Sequence, residues 1–131
     1  MSAIHHIVPR AELESGLGVR GYTPARFAID GFVHCTSEPA VTLCVARDYF
    51  AGHEGDLLVL RIDPASLTSE VRYEAPAPLA GGRAHLVEAR LFPHVYGPID
   101  RAAIVAVAVL GATWPTVWRS LDDVTDTGSP K

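Results

Sequence analysis

The sequence has few of the features that mark secreted or membrane proteins. Its 131 residues include two cysteines, Cys35 and Cys44, which are too few for a secreted scaffold held by disulfides. The segment Met1 to Arg10 lacks the apolar core of a signal peptide. The longest apolar run, Ala102 to Leu110, has nine residues, whereas a membrane-spanning helix needs about 20. We therefore expect a cytoplasmic protein with no membrane partner.

Positive charge and nucleotide-binding motifs are also scarce. Eleven Lys and Arg residues oppose fifteen Asp and Glu residues, which gives a formal net charge of −4. We do not expect extended DNA or RNA binding, because such binding needs many cations against phosphates; a local pocket for one nucleotide remains open. The sequence contains no P-loop, GxGxxG or GxSxG motif, so triphosphate chemistry and the α/β-hydrolase mechanism lack their sequence signals.

The length is typical of one domain, and the hydrophobic pattern predicts five or six strands, one main helix and one short helix. Strands and helices do not alternate regularly, so the pattern favours an α+β fold over a doubly wound parallel sheet. We predict a single domain over residues 1–121 and a disordered polar tail over residues 122–131. The predicted strands are Ala3–Val8, Phe32–Ser37, Asp56–Ile62, Val71–Glu74, Ala84–Leu91 and Ile104–Leu110, the last of them fully buried. The predicted helices are Arg10–Leu17 and a longer one from the N-cap Ser37 to Gly52. Loops or turns are predicted for 21–29, 75–83 and 92–97.

Histidines are the residues most suited to chemistry, and two of them lie in the middle of predicted strands. Alternation along a strand places His6 on one face with its apolar neighbours, and His34 on one face with Phe32 and Thr36. Either histidine alone is more simply interpreted as a structural residue bonded to backbone. Together, on short neighbouring strands, they favour a polar-lined cleft. The six histidines are His5, His6, His34, His53, His85 and His94.

No HExxH, CxxC or His-x₃-His spacing is present, so no metal site is predicted. A metal-assisted hydrolase that uses His6, His34 and His94 from separate strands is a weaker alternative. Cys35 adjoins His34, but neighbouring strand residues point to opposite faces, so His34 is badly placed to activate a Cys35 nucleophile. A small buried cysteine is the simpler interpretation.

Aromatic and acidic side chains offer further candidates. The segment Phe92 to Gly97 combines aromatic rings with His94, which suits stacking of a planar ligand ring or, equally, a rigid corner between strands. Three glutamates, Glu14, Glu74 and Glu88, lie nearest these segments. Glu74 ends a strand before a predicted loop, a common place for a functional side chain, although a solvated strand end would look the same.

The ordered set of motifs resembles the bacterial and plant family called domain of unknown function 952. The resemblance extends over residues 4 to 110, and its most specific segments surround His34 and His94. The matching motifs are Ile4-x-His6-Ile7-Val8, Arg10-x-Glu12, Gly21-Tyr22-x-Pro24, Gly31-Phe32-Val33-His34-Cys35-Thr36, Ile62-Asp63-Pro64 and Phe92-Pro93-His94-Val95-Tyr96-Gly97-Pro98.

That family is more remotely similar to the ADP-ribosyltransferase superfamily, which includes RNA 2′-phosphotransferases. The resemblance implies a small split β-sheet domain that binds NAD or an ADP-ribosylated intermediate between two half-sheets. His6 matches the first motif of that superfamily, and His34-Cys35-Thr36 resembles the second. The third motif, often a glutamate, is not clear, because Glu74, Glu88 and His94 compete for it.

The resemblance implies two alternative functions. The first is transfer or hydrolysis of ADP-ribose with His6, His34 and Glu74 as catalytic residues, NAD as a substrate, and no tightly bound cofactor. The second is a non-catalytic module that keeps the nucleotide cleft without the chemistry. In both, the small-molecule nucleotide ligand is expected to contact Tyr22, Thr36, Phe92, His94 and Tyr96.

Overall fold

The computed structural model of the chain describes residues 2–75 and 91–125. This part has an α+β fold with three small antiparallel sheets, which confirms the predicted fold class. It contains eight strands and four helices, whereas five or six strands and two helices were predicted, because β2, β7, α2 and α4 are too short to show a periodic pattern. None of these helices has the length and apolar character needed to cross a bilayer. The strands are β1 Ile4–Pro9, β2 Gly21–Tyr22, β3 Val33–His34, β4 Leu57–Ile62, β5 Glu70–Glu74, β6 Phe92–Tyr96, β7 Ile99–Asp100 and β8 Ile104–Val109; the helices are α1 Arg10–Gly16, α2 Phe27–Asp30, α3 Pro39–Tyr49 and α4 Leu121–Thr125.

The first sheet has the strand order β1-β4-β8 and packs apolar side chains on both faces. Because successive strand residues point to opposite faces, Leu58 and Leu60 of β4 enter the main core, whereas Val59 enters a second cluster against α3. The central strand β4 is buried because sheet neighbours cover both of its edges.

The other two sheets are smaller and carry the remaining strands. One has the order β3-β6-β5, and the other pairs β2 with β7. His5 of the first sheet and Thr36, just beyond β3, exchange backbone hydrogen bonds of 2.8 and 2.7 Å. This bridge places the edge of β1 beside the edge of β3, and no described strand covers either edge.

Helix α2 sets the direction from which the chain enters β3. The helix has one turn and ends at Gly31, whose φ of 82° is in the left-handed region that glycine adopts without a Cβ penalty. The Gly31 N–H donates to the carbonyl of Phe27 and closes the turn. Asp30 at the end of α2 is thereby held next to His34.

Several predicted elements have different bounds or a different type in the structure. The helix predicted from Ser37 begins at Pro39 with Glu38 as its N-cap. The predicted strand Phe32–Ser37 contains regular pairing only at Val33–His34. The segment 21–29, predicted as a loop, contains β2 and the start of α2. The segment 92–97, predicted as a turn, is strand β6 through Tyr96.

Physical reasons account for these differences. Cys35, the first residue after β3, lies opposite Pro93 of β6, whose carbonyl accepts from the Cys35 N–H but which has no N–H to donate in return. The ladder therefore stops at His34. Strand β8 was predicted to be fully buried, but it is an edge strand of its sheet, and the side chains of Val105 and Val109 are more than half exposed.

The folded part of the chain continues past residue 121, the predicted end of the domain. A disordered tail was predicted from Asp122, but residues 122–125 belong to α4, where Val124 packs into the main core because it continues the apolar face of Leu121. The remaining tail, residues 126–131, and most of the segment predicted as a loop and a strand between residues 75 and 91 lie outside the described residues.

Candidate functional site

The free edges of β1 and β3 separate immediately after the bridge between His5 and Thr36. In a continued antiparallel ladder, Ile7 would pair with His34, but no backbone hydrogen bond joins them. Backbone groups of residues two apart along a strand point the same way. The N–H and C=O groups of Ile7 therefore face the β3 side, and no other described residue bonds to them.

The side chain of His6 forms a hydrogen bond to His34 where the backbone bond between Ile7 and His34 is missing. Its Nδ1 lies 2.6 Å from the carbonyl oxygen of His34, and a carbonyl only accepts, so Nδ1 carries the proton and donates. Burial lowers the pKa of His6 to about 4, against an opposing effect of this hydrogen bond. His6 is consequently neutral at pH 7, and its Nε2 is an acceptor to which no described residue donates.

A cleft of about 460 Å³ lies along this split and has the size of a small-molecule site. It passes both faces of β1, since His5 and His6 leave the strand on opposite sides and both contribute to its wall. Most of the wall is apolar or aromatic. The lining residues are His5, His6, Ile7, Pro9, Glu12, Pro24, Arg26, Asp30, Phe32, His34, Cys35, Thr36, Val45, Tyr49, Phe50, Phe92 and His94.

A carboxylate of α2 orients the ring of His34. Nε2 of His34 lies 2.8 Å from Oδ2 of Asp30, and Arg26 donates to both oxygens of the same carboxylate at 3.1 and 3.3 Å. The hydrogen bonds from Arg26 and then from His34 lower the pKa of Asp30. Because Asp30 is a carboxylate, Nε2 of His34 is the donor, and the ring is fixed in one orientation at the cleft wall.

His94 is held from behind in a similar way. Its Nδ1 lies 2.8 Å from Oε1 of Glu74, which also accepts from the hydroxyl of Tyr96 at 2.6 Å. Burial lowers the pKa of His94 and outweighs the effect of Glu74, so the ring is neutral and donates from Nδ1. The ring of Phe32 stacks on it with centroids 4.1 Å apart, and the ring of His34 lies 5.6 Å away.

The structure brings five of the eight predicted site residues to one cleft. The other three lie outside its wall. Glu74 and Tyr96 form the support behind His94, and the ring of Tyr96 also lies under Arg72 at 4.5 Å. Tyr22 is fully buried behind His6, with ring centroids 5.8 Å apart. The five residues in the wall are His6, His34, Thr36, Phe92 and His94; Glu88, the other competitor for the third motif, lies outside the described residues.

Two alternative chemistries lose support from these positions. Cys35 is 2% exposed, and burial raises the pKa of its thiol, so the thiolate required of a nucleophile is disfavoured. Within residues 2–75 and 91–125, no three His, Cys, Asp or Glu side chains are grouped so that they could hold a metal ion. His6, His34 and His94 share a cleft without forming such a group.

Sequence reasoning did not predict twelve of the seventeen wall residues, and Glu12, Asp30 and Phe32 are three of these twelve. The sequence predicted no role for Asp30, because the one-turn helix that carries it is too short to show periodicity. The spacing of four residues from Arg26 to Asp30, and again from Asp30 to His34, was a signal that could have revealed the pair on α2. Phe32 was predicted to share a strand face with His34. Its stacking on the His94 ring could not be predicted, because that contact depends on the pairing of β3 with β6.

Comparisons with known proteins identify the family and the fold. Two crystal structures of protein CC0527 from Caulobacter crescentus, one of them a double mutant, are 22% identical to the chain. They cover 94% of it and 98% of their own chains, with TM-scores of 0.65 and 0.64 for the unaltered and mutant proteins. At this identity the likeness shows a shared fold alone. No curated protein matches the chain. The family model described as protein of unknown function DUF952 matches residues 7–107, and the chain therefore belongs to the DUF952 family.

Proposed function

We propose that the chain binds NAD or an ADP-ribose-related nucleotide in this cleft, with the nicotinamide end inside it. The observation that carries the proposal is the interrupted ladder between Ile7 and His34. The interruption leaves the N–H and the C=O of Ile7 side by side at the cleft. A primary carboxamide offers the complementary acceptor and donor pair, so the carboxamide of nicotinamide fits the Ile7 backbone.

The neutral ring of His6 supplies the next contact. Its Nε2 accepts hydrogen bonds at neutral pH, since burial lowers the pKa of His6 to about 4 and Nδ1 is committed to His34. A ribose hydroxyl is a donor of the right kind. Ribose attached to the ring bound at Ile7 would lie near His6, which is the preceding residue.

The remaining wall suits a planar ring better than a diphosphate. Phe32 and Phe92 present aromatic surface to the cleft. The cationic side chain of the wall, Arg26, is already paired with Asp30, and diphosphates need charge-assisted donors. We therefore place the diphosphate and adenosine of the ligand outside the 460 Å³ cleft.

Binding is better supported than ADP-ribose transfer. Transfer would break the bond between nicotinamide and ribose through an oxocarbenium-like state, which a facing carboxylate stabilises. Glu74, predicted for that role, instead accepts from His94 and Tyr96 behind the wall. No tightly bound cofactor is part of the proposal, and NAD enters it as a ligand.

Isothermal titration calorimetry with NAD, ADP-ribose and nicotinamide tests the proposal. We expect saturable NAD binding that weakens at least about tenfold in His6→Ala, as expected for loss of one buried hydrogen bond and its packing. His53→Ala is the matched control, because His53 is an exposed histidine outside the cleft. Absence of NAD and ADP-ribose binding, or equal affinity in His6→Ala, would contradict the proposal.

A parallel assay for released nicotinamide separates binding from transfer. We expect stoichiometric binding without turnover. Nicotinamide release that disappears in both His6→Ala and His34→Ala would instead establish the enzymatic alternative at the same cleft. Release that persists in both variants would come from another source.

A further inference from the structure

Glu12 has a distinct position among the charged groups of the cleft wall. The wall carries three side chains with formal charges, and two of them, Arg26 and Asp30, form an ion pair with each other. Glu12 lies in the first turn of α1, and no described residue forms a hydrogen bond or ion pair with its carboxylate.

Glu12 and His6 line the same cleft. The ring of Tyr22 packs against the ring of His6, with centroids 5.8 Å apart. Burial, and after it the charge of Glu12, raises the pKa of the Tyr22 hydroxyl. Glu12 therefore adds a negative charge to the wall that also carries the neutral ring of His6.

Close packing fixes α1 in this position. A Cβ at Gly16 would lie 2.6 Å from the carbonyl oxygen of Thr23 and 2.9 Å from the Tyr22 ring, so the glycine lets the end of α1 touch the β2 segment. Arg10 at the start of the helix bonds Asp56 through two nitrogens. With both ends held, the helix presents Glu12 to the cleft as a fixed negative charge.

We propose that Glu12 makes the cleft selective for a positively charged ring, so that the ligand class is a cationic N-glycoside such as oxidised NAD. This inference rests on the proposed function and adds the charge of the bound ring to it. The rings of His6 and His94 are neutral at pH 7 and do not offset the carboxylate. A carboxylate that has no ion-pair partner among residues 2–75 and 91–125, beside a largely apolar wall, attracts a pyridinium ring more strongly than a neutral one.

Calorimetric titration with NAD and NADH compares two ligands that differ mainly in the charge of the ring. We expect the unaltered protein to bind NAD about tenfold more tightly than NADH at low ionic strength, an effect between the Coulomb limits for water and for a protein surface. Raising the salt concentration should reduce this ratio, because mobile ions screen a partly exposed charge. A steric preference would not change with salt.

Three variants of α1 isolate the charge of Glu12. Glu12→Gln is expected to lower the NAD-to-NADH affinity ratio to about one to three, since the carboxylate attraction is removed. Glu12→Asp keeps the charge and should keep most of the preference. Glu14→Gln is the matched control, because Glu14 is exposed on the same helix outside the cleft wall. Circular dichroism at each stage confirms that the variants are folded.

The outcomes separate this inference from the proposed function. Equal affinity for NAD and NADH in the unaltered protein, or an unchanged ratio in Glu12→Gln, would overturn the role of Glu12 while leaving nucleotide binding intact. Absence of binding by either nucleotide would overturn both. A ratio that falls in Glu12→Gln and stays high in Glu14→Gln would support the selectivity.

Discussion

Nδ1 of His6 donates a hydrogen bond to the carbonyl oxygen of His34 over 2.6 Å, across 28 positions of sequence. This bond takes the place of the backbone bond that Ile7 would make if the two strands continued as one sheet. The side-chain hydrogen bond joins the two strands where their backbone pairing has ended, and the cleft lies along this split.

Acid should destabilise the protein through its two buried histidines in β1. Burial lowers the pKa of His5 and that of His6 to about 4 each. The unfolded chain takes up these protons below about pH 6.5 and the folded chain does not, so stability is lost as the pH falls from about 6.5 to 4. We expect the free energy of unfolding to drop by about 3 kcal/mol through His6 by pH 4, and by less through His5, which solvent screens more.

Urea denaturation at several pH values measures this loss. His6→Gln, which cannot take up the proton, should remove about 3 kcal/mol of the pH dependence and leave the part due to His5 and His94, whose pKa values burial also lowers. His53→Gln, at an exposed position, should leave the dependence unchanged. A free energy of unfolding that stays flat between pH 6.5 and 4 would show that the two histidines are not held neutral.

Asp30 should matter more for stability than its partner Arg26. The Asp30 side chain is 14% exposed and binds both Arg26 and His34, whereas the Arg26 side chain is 62% exposed. We expect Asp30→Asn to cost about 1–2 kcal/mol, because charge-assisted bonds are lost in a shielded place. Arg26→Ala should cost less than Asp30→Asn, because exposed ion pairs contribute little to stability. Urea melts at pH 7 provide both values, and an equal cost would contradict this ranking.

Gly16 should be intolerant of a side chain. A methyl group there meets the Thr23 carbonyl and the Tyr22 ring at distances that real Cβ atoms do not show. We expect Gly16→Ala to destabilise the fold by about 1–3 kcal/mol, as overpacking does. Gly18→Ala is the control, since its nearest neighbour would be at 3.7 Å. Thermal unfolding compares the two, and similar midpoints would show that α1 is free to shift.

The hydroxyl of Tyr22 should be dispensable. It is buried and has no hydrogen-bond partner in the described part of the chain. Tyr22→Phe removes a group that gains nothing in the folded state, so the free energy of unfolding should stay the same or rise by about 1 kcal/mol. A loss of more than about 1 kcal/mol in urea denaturation would reveal a partner for this hydroxyl.

Local sequence patterns were sufficient to predict the helices and strands whose formation depends on their own residues. Strands β1 and β4 and helices α1 and α3 were placed within a few residues, since alternation, helical spacing and Pro39 are local signals. The faces of His6 and His34 also follow from alternation. The sequence predicted that His6 and His34 share a polar-lined cleft. It did not predict the hydrogen bond from the His6 ring to the His34 carbonyl.

Tertiary pairing decided what the local patterns could not. The segment 92–97, which contains Pro93 and Gly97, was predicted as a turn. Pro93 instead lies in β6, the middle strand of its sheet, and its carbonyl accepts a hydrogen bond from the Cys35 N–H. Glu74 was a candidate for the cleft, but the β5–β6 register turns it toward Nδ1 of His94 from behind. The four-residue helix that carries Asp30 has too few residues for a periodic pattern.

A titration of ¹⁵N-labelled protein with NAD, followed through backbone amide resonances, tests most directly whether the split between β1 and β3 is the ligand site. We expect saturable shifts at the amides of Ile7 and His34, which face each other without a mutual bond, and none at the amide of Thr68, which donates to Asp100 outside the cleft wall. Shifts confined to the region of Thr68, or no shifts at all, would contradict nucleotide binding at the histidine cleft.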